Sequence, residues 1–166
     1  MKTILTIFSI FSLAACSTLL PNMNQQPIHF ALSTEQNTQL NVDDTFTFDV
    51  TNQEEIFKIE SIVLPIDVIH PRIKAIDITS NNSQWEFNYS VDHDIHYLYF
   101  HIKEEAIISP ETVLATITVQ AKEPGRTVFD FINGEIEIKG KSSDLEVDYL
   151  NHKNLSIEVL DPNMSK

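Results

Sequence analysis

Thr45-Phe46-Thr47-Phe48-Asp49-Val50 is the stretch that decides the fold. Phe46, Phe48 and Val50 fall on one side of an extended chain; Thr45, Thr47 and Asp49 fall on the other. Alternate residues of a strand point to opposite faces, so this is the period-two pattern of a half-buried strand. The pattern recurs on both sides. Trp85-Glu86-Phe87-Asn88-Tyr89-Ser90-Val91 alternates without a fault, and Phe87 marks the Trp85–Phe87–Tyr89 side as core. Lys58 to Ile66 offers Ile59, Ile62 and Leu64 for burial, and Arg72 to Ser80 offers Ile73, Ala75 or Ile76, and Ile78. Thr112 to Ala121 puts Val113, Ala115, Ile117 and Val119 on one side. Ile95 to Ile102 is apolar on both sides and is expected to be a central strand. Leu98, Phe100 and Ile102 are its better core set, which leaves Tyr97, Tyr99 and His101 to line the opposite face. Thr127 to Phe131, Glu135 to Ile138 and Asn154 to Leu160 complete the series.

β-branched and aromatic residues fill these runs, as a pleated surface favours. Turn signals separate them: Asn81-Asn82, Asp92-His93-Asp94, Pro124-Gly125, Asn133-Gly134 and Gly140. Asn133-Gly134 predicts a tight hairpin. No segment sustains a helical period, although Glu104 to Pro110 has room for one turn. Short strands at this spacing predict an all-β fold, a single Greek-key β-sandwich of nine or so strands.

The chain has 166 residues, a net charge of −13, three glycines and one cysteine. The length suits one domain. One cysteine makes neither an internal disulfide nor a cysteine-rich zinc site. With no glycine before Gly125, a glycine-rich phosphate loop is excluded. The acidic excess argues against a nucleic-acid partner, whose phosphates need a basic face.

Residues 1–15 read as an address. Lys2 is followed by the apolar run Ile4, Leu5, Ile7, Phe8, Ile10, Phe11, Leu13, which is too short to cross a bilayer comfortably. It ends in Leu13-Ala14-Ala15-Cys16, which resembles the bacterial lipoprotein box. That resemblance implies cleavage before Cys16 and acylation of Cys16, including palmitate-like chains that hold the protein on a membrane. Ser17 is not the Asp that resembles an inner-membrane retention signal, so the outer membrane is the expectation in a cell that has one. Residues 16–27, rich in Asn, Gln and Pro, read as a tether. Residues 28–160 are then the sandwich and 161–166 a C-terminal tail.

The order of motifs resembles the cohesin modules. Val42-Asp43-Asp44-Thr45-Phe46-Thr47-Phe48-Asp49-Val50 is similar to their opening strand. Val63 to Ile78, with Ile66-Asp67 and His70-Pro71, is similar to their strands joined at a Pro-containing turn. Asn88-Tyr89-Ser90-Val91 with Ile95-His96-Tyr97-Leu98-Tyr99-Phe100 resembles the following hairpin. Val113-Leu114-Ala115-Thr116-Ile117-Thr118-Val119-Gln120-Ala121 resembles the long strand before a Gly-containing turn. The resemblance implies a nine-stranded jelly-roll sandwich, shared with some carbohydrate-binding modules, without catalysis and with a flat sheet face for a protein partner. Asp43, His70 and Glu111-Thr112 depart from the family's pattern, where Gly, Asp and Gly are usual.

Candidate chemistry is sparse. Asp92, His93, Asp94 and His96 are the densest set of potential metal ligands, for zinc or, at Asp92/Asp94 or Asp43-Asp44, for calcium. Asp is also favoured in turns for backbone reasons, and a solvated turn is the better reading of both. No strained Gly-x-Ser-x-Gly elbow is present, and no enzyme is expected. Trp85, Tyr89, Tyr97, Tyr99 and Tyr149 are the aromatics available for a sugar platform. Glu135, Glu137, Asp144, Glu146 and Asp148 form a late acidic row expected on a solvated face. The expected function is protein–protein interaction at the cell envelope, as an accessory subunit of a secretion, pilus or surface assembly. The alternative is polysaccharide binding on the same sandwich.

Overall fold

The computed structural model describes residues 25–68, 71–142, 146–148 and 154–161. Cys16, the leader, His70, Asp144 and Tyr149 lie outside them. Thirteen strands appear among the described residues: β1 Gln25–Pro27, β2 Phe30–Ser33, β3 Gln39–Leu40, β4 Thr45–Asn52, β5 Ile59–Asp67, β6 Ile73–Thr79, β7 Trp85–Asp92, β8 Ile95–Ile102, β9 Val113–Ala121, β10 Gly125–Phe131, β11 Glu137–Gly140, β12 Glu146–Asp148 and β13 Leu155–Val159. Four of them form one sheet in the order β2-β4-β9-β6. The larger sheet runs β3-β13-β10-β5-β8-β7, with β11 also paired to β5. The chain crosses between sheets at every connection from β2 to β7, and again at β8–β9 and β9–β10, the connectivity of a jelly roll. Gln25–Pro27, which composition assigns to the tether, pairs in parallel with β12.

The core forms where the alternating strands face each other. Phe46, Phe48 and Val50 of β4 are fully buried, as their spacing requires. Phe48 stacks on Phe129 of β10, with ring centroids 4.6 Å apart. Leu98, Phe100 and Ile102 of β8 point into the same core, and β8 lies between β5 and β7. Trp85 is buried, tilts edge-on to Phe100, and donates its Nε1–H to Ser80 Oγ at 2.8 Å. A buried indole N–H needs such an acceptor.

Two bulges correct the simple alternation. The register of β4 against β9 runs Val50↔Ala115 and then Thr51↔Val113, so Leu114 is the extra residue. Leu114 is therefore fully buried and Val113 is 42% exposed, the reverse of the period-two expectation. In β6 the register skips Ile76, which is left exposed while Ile73 and Ile78 are buried.

Asn133-Gly134 does not make a hairpin. β10 and β11 do not pair with each other; both run antiparallel to β5, with a 3-10 turn at Asn133–Glu135 between them. They are one broken strand. Phe131 sits opposite Ile66 and Glu137 opposite Val63, so the break faces Leu64 and Pro65. Proline has no N–H to give a neighbour, which explains how Pro65 is tolerated inside a sheet. Its carbonyl accepts the Ile132 N–H at 3.0 Å.

Phe48→Ala and Phe129→Ala are each expected to lower unfolding free energy by about 3–5 kcal/mol, through lost burial and a residual cavity. Val113→Ala, on the exposed side of the bulge, is expected to stay within about 0.5 kcal/mol. Urea denaturation of the three variants measures the contrast, and a large loss in Val113→Ala would contradict the bulged register.

Candidate functional site

The outward side of the large sheet carries the candidate residues. β8 pairs with β5 through Ser61↔His101, Val63↔Tyr99 and Pro65↔Tyr97. It pairs with β7 through Glu86↔His101, Asn88↔Tyr99 and Ser90↔Tyr97. β11 adds Glu137 opposite Val63 and Lys139 opposite Ser61. Paired residues share a sheet face. Three rows result: Pro65–Tyr97–Ser90, Glu137–Val63–Tyr99–Asn88, and Lys139–Ser61–His101–Glu86. No register shift interrupts β5–β8 or β8–β7, so this part of the face is regular.

Tyr99 is 39% exposed, and its hydroxyl lies 3.2 Å from Ser90 Oγ. Tyr97 is half-buried and donates its hydroxyl to Glu135 Oε2 at 2.6 Å. That hydrogen bond, and the negative charge that accepts it, push the Tyr97 phenol up to about 12. The broken strand thus has a consequence on this face: the 3-10 turn brings Glu135 over Tyr97. Nothing in the local sequence announces the pair, because it joins residues 38 positions apart. His101 is exposed beside Glu86. Lys139 Nζ binds Glu60 Oε1 at 2.8 Å and holds that carboxyl below its ordinary range. With Lys139 so paired, Glu86 and Glu137 keep the face acidic.

The candidate metal ligands are separated. His93 and Asp94 both have positive φ, 46° and 76°, and form the two-residue turn between β7 and β8. His93 Nδ1 contacts Asp92 Oδ1 at 2.6 Å in a solvent-exposed pair. His96 points the other way, into the interior, and is 5% exposed. Among the described residues no group of three or more His, Cys, Asp or Glu is placed to hold a metal ion. Asp43 likewise belongs to a turn, with φ 70°, and Asp44 Oδ2 accepts the Asn41 N–H at 2.7 Å.

The aromatic platform is also divided. Trp85 is in the core, Phe87 is half-buried and Tyr89 is 45% exposed, so exposure rises along β7 toward its turn. Tyr97 and Tyr99 point to the opposite side of the sheet. Glu135 and Glu137 of the late acidic row are exposed as expected. No local pattern announces the pair of His29 and Glu54, whose ring Nδ1 and Oε1 are in direct contact, with Oε2 accepting the His29 N–H at 2.7 Å. The two hold the start of β2 to the loop after β4.

No family model matches the chain, and no curated protein matches it. Solved cohesin structures do. A non-cellulosomal cohesin from the archaeon Archaeoglobus fulgidus superposes with a TM-score of 0.64 at 12% identity, over 84% of this chain and 96% of that one. A cohesin of Clostridium acetobutylicum in solution gives 0.61 at 15% identity, over 82% and 95%. The cohesin–dockerin complex of Clostridium thermocellum described as a novel type I complex gives 0.58 at 15% identity, over 80% and 94%. The fold is the cohesin jelly-roll sandwich.

His96 supplies a pH test. Both its ring nitrogens are buried without a hydrogen-bond partner, and burial holds its pKa below the ordinary 6.5. The unfolded chain then binds the proton more readily than the folded one. The stability tied to His96 is full above pH 6.5 and is lost as pH falls below it toward the depressed folded value. His96→Leu is expected to be more stable than the wild type by about 1–3 kcal/mol, since it removes unpaired buried polar atoms. Its advantage should widen between about pH 7.5 and about pH 5. Melting curves across that range check both points, and a constant gap would refute the role of His96.

Proposed function

We propose that this chain is a non-catalytic, lipid-anchored interaction module of the cell envelope. In this reading the outward face of β11, β5, β8 and β7 receives a protein partner. The carrying observation is the regular β5–β8–β7 register that sets Tyr97 and Tyr99 side by side on one face. Tyrosines give large contact area at small entropic cost and are enriched where proteins meet. Both phenols are pre-positioned by hydrogen bonds, to Glu135 and Ser90, which lowers the ordering cost of binding. The acidic residues around them suit a partner with a basic rim. Cohesins of this fold have been seen in complex with dockerins, which supports a protein rather than a small molecule as the ligand. Two hollows of the described surface lie elsewhere, one beside Phe57, Ala106 and Ile107 and one between β2 and β4.

Lipid on Cys16, in the outer membrane where the cell has one, would place this face at the envelope. The assembly served would be a secretion, pilus or other surface machine. The burial of Trp85 weakens a glycan platform, which needs exposed coplanar rings.

Capture from envelope fractions tests the reading. The full-length chain is expected to retain a protein partner that Tyr97→Ala/Tyr99→Ala loses by about tenfold or more. Recovery of no protein, with binding to insoluble polysaccharide that the same variant loses, would replace the protein reading with the glycan one. Cys16→Ser is expected to move the chain from the membrane to the soluble fraction; continued membrane binding would disprove the anchor.

A further inference from the structure

β7 ends the large sheet, and among the described residues no strand covers its outer edge. An open edge offers unpaired N–H and C=O groups to any extended chain, and proteins usually blunt it with short strands, bulges or charges. The other terminal strands are blunted in this way. β3 has two residues and β2 has four. β6 carries the Ile76 bulge between Lys74 and Asp77. β7 has eight residues, pairs with β8 without a bulge, has no proline or lysine, and carries its two charges, Glu86 and Asp92, toward its ends rather than at its centre.

The geometry of that edge selects an occupant. The Tyr89 N–H is met by Asn88 Oδ1 at 2.8 Å, so it points away from β8. Alternation puts the N–H groups of Phe87 and Val91 on the same free side. The side chains of Phe87, Tyr89 and Val91 continue the interior face past the core; Tyr89 is 45% and Val91 50% exposed. The strand is self-complementary when it runs antiparallel to itself about Asn88. Phe87 then meets Tyr89 of the second copy, and Trp85 meets Val91. On the outward face Asn88 meets Asn88 and Glu86 meets Ser90, so no carboxylate opposes another. The register one step on would set Glu86 against Asp92, which costs like-charge repulsion.

We infer that the chain pairs with a second copy of itself through β7, joining two large sheets into one continuous sheet about a two-fold axis at Asn88. The inference does not depend on Tyr97 or Tyr99 and goes beyond the partner-binding reading. The net charge of −13 opposes the approach of two copies. Salt screens that repulsion but leaves apolar contact and backbone pairing, so association should tighten as salt rises.

Cysteine cross-linking of the full-length chain carrying Cys16→Ser, so that the introduced thiols are the only ones, tests the register. Asn88 faces its own copy as a pair without mutual backbone hydrogen bonds, where Cα atoms approach to about 4.5 Å, within disulfide range. Asn88→Cys oxidised with copper phenanthroline is expected to give a covalent dimer on a non-reducing gel. Glu86→Cys and Ser90→Cys singly should not, and the double variant Glu86→Cys/Ser90→Cys should. Equal cross-linking of all single variants, or of none, overturns the inference. Sedimentation equilibrium of the full-length chain provides the second measurement. Val91→Pro removes an outward N–H while sparing the β7–β8 ladder and should weaken the dimer by about tenfold or more. Val91→Lys, which keeps the backbone donor and charges the edge, should do the same and serves if the proline variant fails to fold. A folded Val91→Lys chain that dimerises like the wild type overturns the inference, as does a wild type that stays monomeric at high salt.

Discussion

The structure depends on the contact between the two sheets, centred on the stacked rings of Phe48 and Phe129. Each ring comes from a strand with its neighbours on the same side buried: Phe46 and Val50 on one, Thr127 and Phe131 on the other. Burying a phenylalanine side chain contributes about 1.5–3 kcal/mol, and aromatic pairs add about 0.5–1.5 kcal/mol. Neither sheet can bury its apolar face alone, so every strand's orientation is fixed by which side meets this layer. The direction of Tyr97 and Tyr99 follows from it, because Leu98 and Phe100 must point inward.

Irregularities at the margins of this layer set the character of the surfaces. Pro65 withholds a donor and the neighbouring strand breaks opposite it. The break becomes a 3-10 turn, and the turn carries Glu135 to the Tyr97 hydroxyl. A bulge at Ile76 blunts one edge of the sandwich, while β7, with no such device, remains open. The partner face and the open edge therefore meet on β7 and differ in chemistry. One offers fixed side-chain hydroxyls among carboxylates. The other offers backbone groups and a strip of exposed apolar side chains.

Legibility followed the range of the interaction responsible. β4 and β8 were readable because alternation is a local property and their core sets are unambiguous; on β7 the alternation holds, but only Trp85 of the expected core side is buried, and Tyr89 and Val91 are exposed. The same rule failed at Val113, since the bulge at Leu114 comes from register against β4, more than 60 residues away. It failed at Asn133-Gly134 for a similar reason. That pair favours a tight turn locally, but Phe131 and Glu137 both find their partners on β5. His96 sits in a dense run of potential ligands, but it shares the parity of Leu98, Phe100 and Ile102, so alternation alone already puts it on the buried side, away from Asp92 and His93.

The sequence by itself determined the all-β class, the inward faces of the main strands and the outward position of Tyr97, Tyr99 and His101. These follow from period-two patterning and from the free energy of burying apolar side chains, which act strand by strand. Only the tertiary structure decided which strands are neighbours, where the register slips, which carboxylate meets Tyr97 and which edge stays open. Those depend on pairings between distant segments, and no local pattern encodes the partner a strand will meet.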